Sequence, residues 1–233
     1  MATTLDIIFD QNTIETLWRW PTDSNETFSP EFCGRQVARV AKPRMNSGRG
    51  HDRTSDSMIV SSAFLAPPHL IDTDMEIPVI LKIAIGAEKM ALLEREAAVY
   101  EHHLRPLQGN VVPRFHGLYR GRAEARGTRG PRDGMACMIL EYCSGHGDYA
   151  MIPSDFAHRT KLAAWSLHQA GINHGQLTDS RHVLDLGYQG GVRIVDFSQA
   201  VRHDCPCAGK NRHLGGGCYE LAAVEGQLAR SFR

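Results

Sequence analysis

The chain has 233 residues, of which 42% are hydrophobic and 22% are charged, and these are ordinary proportions for a globular protein. Lysine plus arginine and aspartate plus glutamate both number 26, so the zero formal net charge gives no support to a nucleic-acid or membrane-surface partner. No apolar stretch approaches the roughly 20 residues that span a bilayer, and the first residues do not form a secretory signal.

The six cysteines are expected to be reduced thiols rather than a disulfide framework. A chain of this size without an export signal is expected in the cytosol or the nucleus, where thiols stay reduced.

Residues 1–55 are predicted to be a weakly structured N-terminal region. Within it, Leu5 to Phe9 resembles a short strand and Ile14 to Trp20 a short helix. The run of arginine, serine and glycine over residues 44–57 is typical of a flexible loop.

Residues 56–143 are predicted to form a sheet with one helix. The helix is expected over Gly86 to Leu104, because apolar residues recur there at spacings of three and four. Four extended segments are predicted: Met58–Leu65, Ile77–Ile85, Val111–Tyr119 and Met135–Tyr142. The five arginines of residues 120–132 are interpreted as a solvated loop, with an anion-binding patch as the alternative.

Residues 144–233 are predicted to form a second region that consists of a helix, a hairpin and a last helix. A helix is expected over Pro153 to Ala170, with Gly171 ending it, and a last helix over Gly217 to Phe232. Two short strands, Val183–Leu186 and Val192–Phe197, are expected between these helices. The order of elements indicates an α+β fold in two layers or lobes.

Lys82 stands in the middle of an apolar strand, so it must either reach solvent or pair with an acidic group. Glu96 borders the apolar stripe of the following helix, and a helix packed on the sheet would bring Glu96 to Lys82. The alternative is that Glu96 belongs to an ordinary polar helix face.

Two further segments carry polar groups at the ends of predicted elements. His174, Gly175 and Gln176 follow the second long helix, and Asp196 ends an apolar strand before a turn of small residues. A carboxylate at such a strand end is a typical metal ligand.

These four pieces occur in the order of the protein-kinase signature, and the chain resembles that superfamily from about Met58 to Ala200. The segments MILEYC, LHQAGINHGQ and RIVDFSQA resemble short kinase-like proteins of mushroom-type fungi. The resemblance implies a two-lobed kinase-like fold with a truncated C-terminal lobe. It also implies that Lys82, Glu96, Glu141 and Cys143 contact ATP, that Asp196 holds Mg²⁺, and that His174 and Gln176 stand in the catalytic loop.

The sequence departs from this signature at several points. Gln176 replaces the aspartate that would accept the substrate proton, and an amide is no base. Arg181 replaces an asparagine that would bind a second metal, with His182 as an alternative ligand and Asp179 or Asp185 as substitute carboxylates. No glycine-rich loop precedes Lys82, and few residues follow Asp196. The resemblance therefore implies a pseudokinase.

A cluster near the C-terminus offers a possible zinc set, namely His203, Cys205, Cys207 and Cys218. The Cys-x-Cys spacing fits a zinc motif poorly, so a structural zinc ion is not expected, and packing of the last helix is the preferred interpretation.

Three hypotheses for function follow, and whether the chain is an enzyme stays open among them. The first is a catalytically impaired kinase-like module that binds ATP and Mg²⁺ and acts through a protein partner. The second is an active atypical kinase that phosphorylates a protein or a small molecule. The third is a metal-stabilised interaction module built around the C-terminal cysteines.

Overall fold

The computed structural model describes residues 3–10, 13–20, 35–41, 57–66, 76–122, 134–143, 151–204 and 218–231. The chain divides into two compact units. Unit 1 comprises Met1–Ala97 and Phe115–Tyr142, and unit 2 comprises Ala98–Arg114 and Cys143–Arg233.

Unit 1 is a closed barrel of seven strands with the order β1-β2-β6-β7-β5-β4-β3. All neighbours are antiparallel except β1 and β3, which are parallel and close the barrel. The strands are β1 (Thr4–Asp10), β2 (Thr13–Arg19), β3 (Arg35–Val40), β4 (Ser57–Ala66), β5 (Ile77–Ile85), β6 (Phe115–Arg122) and β7 (Gly134–Glu141).

The barrel interior is the hydrophobic core of unit 1. Strand residues alternate between the two faces of a sheet, so every second residue of each strand enters this core. On β5 these are Val79, Leu81 and Ile83, which are fully buried together with Leu5 and Leu17 of the first hairpin. Lys82, between Leu81 and Ile83, therefore lies on the opposite face of the strand.

Helix α1 (Ala87–His102) follows β5 directly. Its predicted apolar stripe is confirmed, since Met90, Leu93, Ala97 and Tyr100 are all at most 6% exposed. Gly86 precedes the helix with a φ of 91°, a left-handed conformation that glycine adopts without strain.

The described residues of unit 2 form three further helices and two small sheets. The helices are α2 (Pro153–Gln169), α3 (Gly187–Gly190) and α4 (Tyr219–Ser231), with 3₁₀ turns at Arg105–Leu107, Ser180–His182 and Phe197–Gln199. The strands pair as β8 (Ile172–Asn173) with β11 (Val201–Arg202) and as β9 (Val183–Asp185) with β10 (Val192–Ile194). Among the described helices, none combines the length and hydropathy needed to cross a lipid bilayer.

The prediction of a two-lobed, kinase-like α+β fold with a truncated C-terminal lobe is wrong, because unit 1 is a closed seven-stranded barrel. Three of its strands, β1 to β3, lie in residues 1–55, for which the sequence predicted little structure. Together with β4 to β7 these strands form one closed sheet. The resemblance had implied an open sheet with a helix, without the first three strands.

The predicted helix over Ile14 to Trp20 is also wrong, since this segment is strand β2. Ile14, Leu17 and Trp18 recur at helical spacing, which suggested an amphipathic helix. In the barrel only Leu17 faces the core, whereas Ile14 and Trp18 are 55% and 53% exposed on the outer face. Residues 44–56 of the predicted loop and most of the arginine loop lie outside the described residues, and Ser57 begins β4.

Candidate functional site

The charged pair predicted in unit 1 is formed. The Nζ atom of Lys82 lies 2.6 Å from Oε2 of Glu96, and the two side chains are only 11% and 1% exposed. The register of β5 turns Lys82 away from the barrel core, and the buried stripe of α1 presents Glu96. The role in ATP binding that the resemblance implied for these residues stays a prediction.

The two other residues implied to contact a nucleotide lie at the end of β7. Glu141 is the last residue of the strand and pairs with Val79 of β5. Cys143 follows two residues later and is partly exposed. The turn predicted at Ser144 to Gly147 lies outside the described residues.

His174 is a fully buried residue of unit 2 whose ring is held at both nitrogens. Its Nε2 lies 3.0 Å from the carbonyl oxygen of Val195 and must donate to it, while Nδ1 accepts from the backbone N–H of Gln176 at 3.3 Å. This arrangement requires the neutral ring with the proton on Nε2. Burial lowers the pKa of His174, which is consistent with a neutral ring.

Asp196 adopts a left-handed conformation with a φ of 65°, the one positive φ among the described residues other than glycine. Its Oδ1 accepts from the backbone N–H of Ser198, and its Oδ2 lies 3.7 Å from Nε2 of His182. His182 in turn donates from Nδ1 to the carbonyl oxygen of Gln176 at 3.1 Å. The structure thus brings His174, Gln176 and Asp196 into one neighbourhood of unit 2, and the Mg²⁺ role of Asp196 stays a prediction.

The carboxylates considered as substitutes for a catalytic base have structural partners. Asp179 pairs with Arg181 at 2.6 Å, and this guanidinium holds the pKa of Asp179 well below its usual range. Asp185 accepts hydrogen bonds from the backbone N–H groups of Met151 and Gly187.

A second cluster in unit 2 brings together His168, His203 and Cys218, one donor atom of each lying within 4.8 Å of the others. His168 lies in the last turn of α2, His203 follows β11, and Cys218 immediately precedes α4. The pairing of β11 with β8, extended by a hydrogen bond from the N–H of His203 to the carbonyl of Gly171, places His203 beside the end of α2.

The donor atoms of this cluster are spaced like the ligands of one tetrahedral ion. Sγ of Cys218 lies 3.4 Å from Nδ1 of His168 and 3.7 Å from Nε2 of His203. Zinc bonds of about 2.0–2.1 Å to nitrogen and 2.3 Å to sulfur, at tetrahedral angles, separate nitrogen from sulfur by about 3.6 Å. Both nitrogen-to-sulfur distances therefore match those of a His₂Cys coordination set.

Glu220 contacts this cluster on the side of the His168 ring that faces away from Cys218. Its Oε2 accepts a hydrogen bond from Nε2 of His168 at 2.8 Å, the ring nitrogen opposite the one that faces Cys218. Burial raises the pKa of Glu220, but hydrogen bonds from His168 and from two backbone N–H groups bring the pKa below its usual value. A carboxylate that receives the second ring N–H of a histidine is the usual outer partner of a metal-bound histidine.

Sequence reasoning identified two of these three donors and missed His168 and Glu220. It searched for a local motif, and His168 precedes His203 by a helix, two small sheets and several turns. Cys205 and Cys207, the other members of the predicted zinc set, lie outside the described residues. Among the described cysteines, Cys137 is a buried free thiol of the barrel core, and burial raises its pKa.

Comparison with known proteins does not assign the chain to a family. No protein-family model matches it, and no curated protein is significantly similar to it. The identification as a kinase-like protein of fungal type is therefore wrong, and so are the labels taken from that family: pseudokinase, kinase, transferase, ATP-binding and nucleotide-binding. Contact of ATP with the individual residues Lys82, Glu96, Glu141 and Cys143 is not tested by these findings and stays a prediction. The closed barrel conflicts with that family's fold, and the short motifs do not amount to a family match.

Proposed function

We propose that the chain is a metal-stabilised interaction module, in which His168, His203 and Cys218 bind a structural zinc ion. The observation that carries the proposal is the convergence of the three donor atoms within 4.8 Å of one another, with both nitrogen-to-sulfur distances, 3.4 Å and 3.7 Å, close to those of zinc ligands. Imidazole nitrogen and thiolate sulfur together are the ligands that zinc prefers.

Burial favours a structural ion over a catalytic one. His168 and Cys218 are 1% and 3% exposed, and the donors come from three separate segments of unit 2. An ion held there ties the end of α2, the end of β11 and the start of α4 together, and its binding free energy adds to the stability of the folded state, because the unfolded chain has no preformed site. Such an ion supports architecture, so the chain would act through contacts of its folded surface.

The binding of ATP and Mg²⁺ stays a prediction that rested on the kinase resemblance, and it forms no part of this proposal. The proposal requires a reducing compartment such as the cytosol or the nucleus, because zinc binds Cys218 only as the thiolate, which oxidation would remove.

Metal analysis of the purified chain tests the proposal. The protein is prepared under reducing conditions without a polyhistidine tag, and zinc is quantified by mass spectrometry. We expect about one zinc ion per chain, and cobalt exchanged into the site should give visible bands of a tetrahedral ion with a thiolate ligand. Cys218→Ala and His168→Ala should lose the bands, whereas Cys143→Ala, the matched control, should keep them.

The fourth coordination position is addressed with Cys205→Ser and Cys207→Ser. If one of these variants loses part of the sulfur-to-cobalt charge-transfer absorption, the thiol that it lacks is the fourth ligand. If both variants keep the full absorption, water occupies the fourth position. A native chain that contains no zinc and binds neither added zinc nor cobalt would overturn the proposal.

A further inference from the structure

Glu220 contacts two different parts of unit 2 at once. Besides accepting from the ring of His168, its Oε2 accepts from the backbone N–H of His174 at 3.0 Å. Its Oε1 accepts from the backbone N–H of Gly175 at 2.6 Å. One carboxylate, 7% exposed as a residue, therefore joins the candidate metal centre to the His174–Gly175 segment.

The His174–Gly175 segment is itself packed against a further turn. The His174 ring donates to the carbonyl of Val195 and lies 4.9 Å from the Phe197 ring, edge to face. Gly175 has a φ of 82°, and a Cβ atom at this position would stand 3.1 Å from the carbonyl oxygen of Gln199. A shift of the segment must therefore displace the Val195–Gln199 turn or strain against it.

Metal binding at Nδ1 of His168 fixes what Nε2 can do. With the ion on Nδ1, the ring proton must stand on Nε2, which then donates to Glu220. The ion also holds Cys218, which stands two residues before Glu220 at the start of α4, so the His168 ring and the start of this helix are fixed on the same ion. The ion thus favours the one arrangement in which Glu220 is held by the ring and caps both backbone N–H groups.

We infer that Glu220 is a positioning residue that couples zinc binding to the conformation of the His174–Gly175 segment, so that this segment responds to metal occupancy. The inference rests on the proposed zinc site. Coupling of this kind is reciprocal: if the ion stabilises the segment, a change that shifts the segment out of its native conformation weakens binding of the ion by at most the coupling factor.

The reciprocal effect is the first test, and it uses the folded, zinc-loaded chain. Zinc affinity is measured by competition with a chromophoric chelator for Gly175→Ala and for Gly191→Ala. Both glycines have a positive φ, 82° and 72°, so both substitutions strain the backbone, but Glu220 caps only Gly175. We expect Gly175→Ala to weaken zinc binding by up to about tenfold and Gly191→Ala to leave it unchanged.

Nuclear magnetic resonance supplies the second measurement. In the zinc-loaded chain the Gly175 amide proton should resonate downfield, because its hydrogen bond to a carboxylate is short. Chelation should move this signal and those of Val195 to Phe197, and zinc should restore them, while Ile83 in the barrel stays fixed. In Glu220→Gln, zinc should bind about 10–100-fold more weakly, and the Gly175 amide should lose its downfield position even at saturating zinc.

The outcomes separate this inference from the proposed zinc site. A chain that binds no zinc overturns both. A chain that binds zinc stoichiometrically, with an unchanged Gly175 signal and native affinity in Gly175→Ala, keeps the zinc site and overturns the coupling. If chelation unfolds unit 2, the zinc-saturated Glu220→Gln spectrum still decides, since it does not require the metal-free chain.

Discussion

Lys82 and Glu96 form an ion pair that water scarcely reaches, with 2.6 Å between Nζ and Oε2 and side-chain exposures of 11% and 1%. Burying two charges costs several kcal/mol per ion, and their attraction compensates only while both partners are present. The loss of one side chain should therefore destabilise the protein far more than the loss of both.

We expect Lys82→Met to lower the free energy of unfolding by about 3–5 kcal/mol, because it removes the ammonium charge that compensates the buried Glu96 carboxylate. The double variant Lys82→Met/Glu96→Leu should recover most of this loss. Denaturant unfolding of the four chains of this cycle gives the coupling energy.

The exposed pair of Arg120 and Glu94 is the control for this cycle. These side chains are 3.1 Å apart but about a third exposed, at 31% and 30%. Their coupling should not exceed about 1 kcal/mol. A coupling between Lys82 and Glu96 as small as this would contradict the prediction.

Much of the local structure was predictable because its patterns are short in range. The stripe of α1, strand β5 with its bounds of Ile77–Ile85, and helix α2 all follow from periodicity within one element. Barrel closure was not predictable, because it depends on the parallel pairing of β1 with β3, which no local pattern encodes. On β2, exposed apolar side chains at Ile14 and Trp18 hid the alternation that marks a strand.

The same distinction holds for the candidate sites. Lys82 and Glu96 were expected to meet because a helix that follows a strand commonly packs on it. His168 was missed because its partnership with Cys218 arises from the packing of α2 against α4, across residues distant in sequence. The kinase resemblance failed for a related reason: a lysine, a glutamate and an aspartate in a given order constrain three positions but not the pairing of strands.

Arg193 offers a second stability test, within unit 2. Its buried guanidinium donates to the carbonyl oxygens of Gly109 and Gly190, at 2.6 Å and 3.0 Å, and to that of Asn110. Lysine cannot reproduce this planar set of donors. Arg193→Lys should lower the free energy of unfolding by about 2–3 kcal/mol, as expected when buried carbonyl groups lose their donors.

The matched variant for Arg193→Lys is Arg159→Lys. Arg159 makes one exposed hydrogen bond, to the carbonyl of Tyr188, so its replacement should cost less than about 0.5 kcal/mol. Equal losses in the two variants, measured by denaturant unfolding, would show that the guanidinium geometry of Arg193 is unimportant.

His174 should stay neutral under mildly acidic conditions. Burial lowers its pKa in the folded chain, and protonating Nδ1 would set a proton against the N–H of Gln176. In the unfolded chain His174 takes up a proton near its ordinary pKa of 6.5, whereas in the folded chain it does so only at a lower pH. The free energy of unfolding is therefore unaffected by His174 above pH 6.5 and decreases as the pH falls below that value. The ring signals of His174, followed by nuclear magnetic resonance, should titrate below pH 6.5, and a midpoint above that value would contradict the hydrogen-bond assignment.

Removal of zinc should destabilise unit 2 and leave the barrel largely unaffected. An ion present at about 1,000 times its dissociation constant contributes about 4 kcal/mol, which for a chain of this length corresponds to a fall in Tm of roughly 8–16 °C on chelation. The change should appear in the fluorescence of Trp165, which lies on α2 near His168, and Trp18 on β2 serves as the reporter for the barrel. Single-tryptophan chains separate the two signals.

Cys218→Ser should start at the lower Tm and show no further response to the chelator, because it lacks the thiolate that the ion requires. If chelation instead lowers the Tm of Cys218→Ser as much as that of the native chain, the ion is bound elsewhere, and the stability of unit 2 would not depend on the cluster of His168, His203 and Cys218.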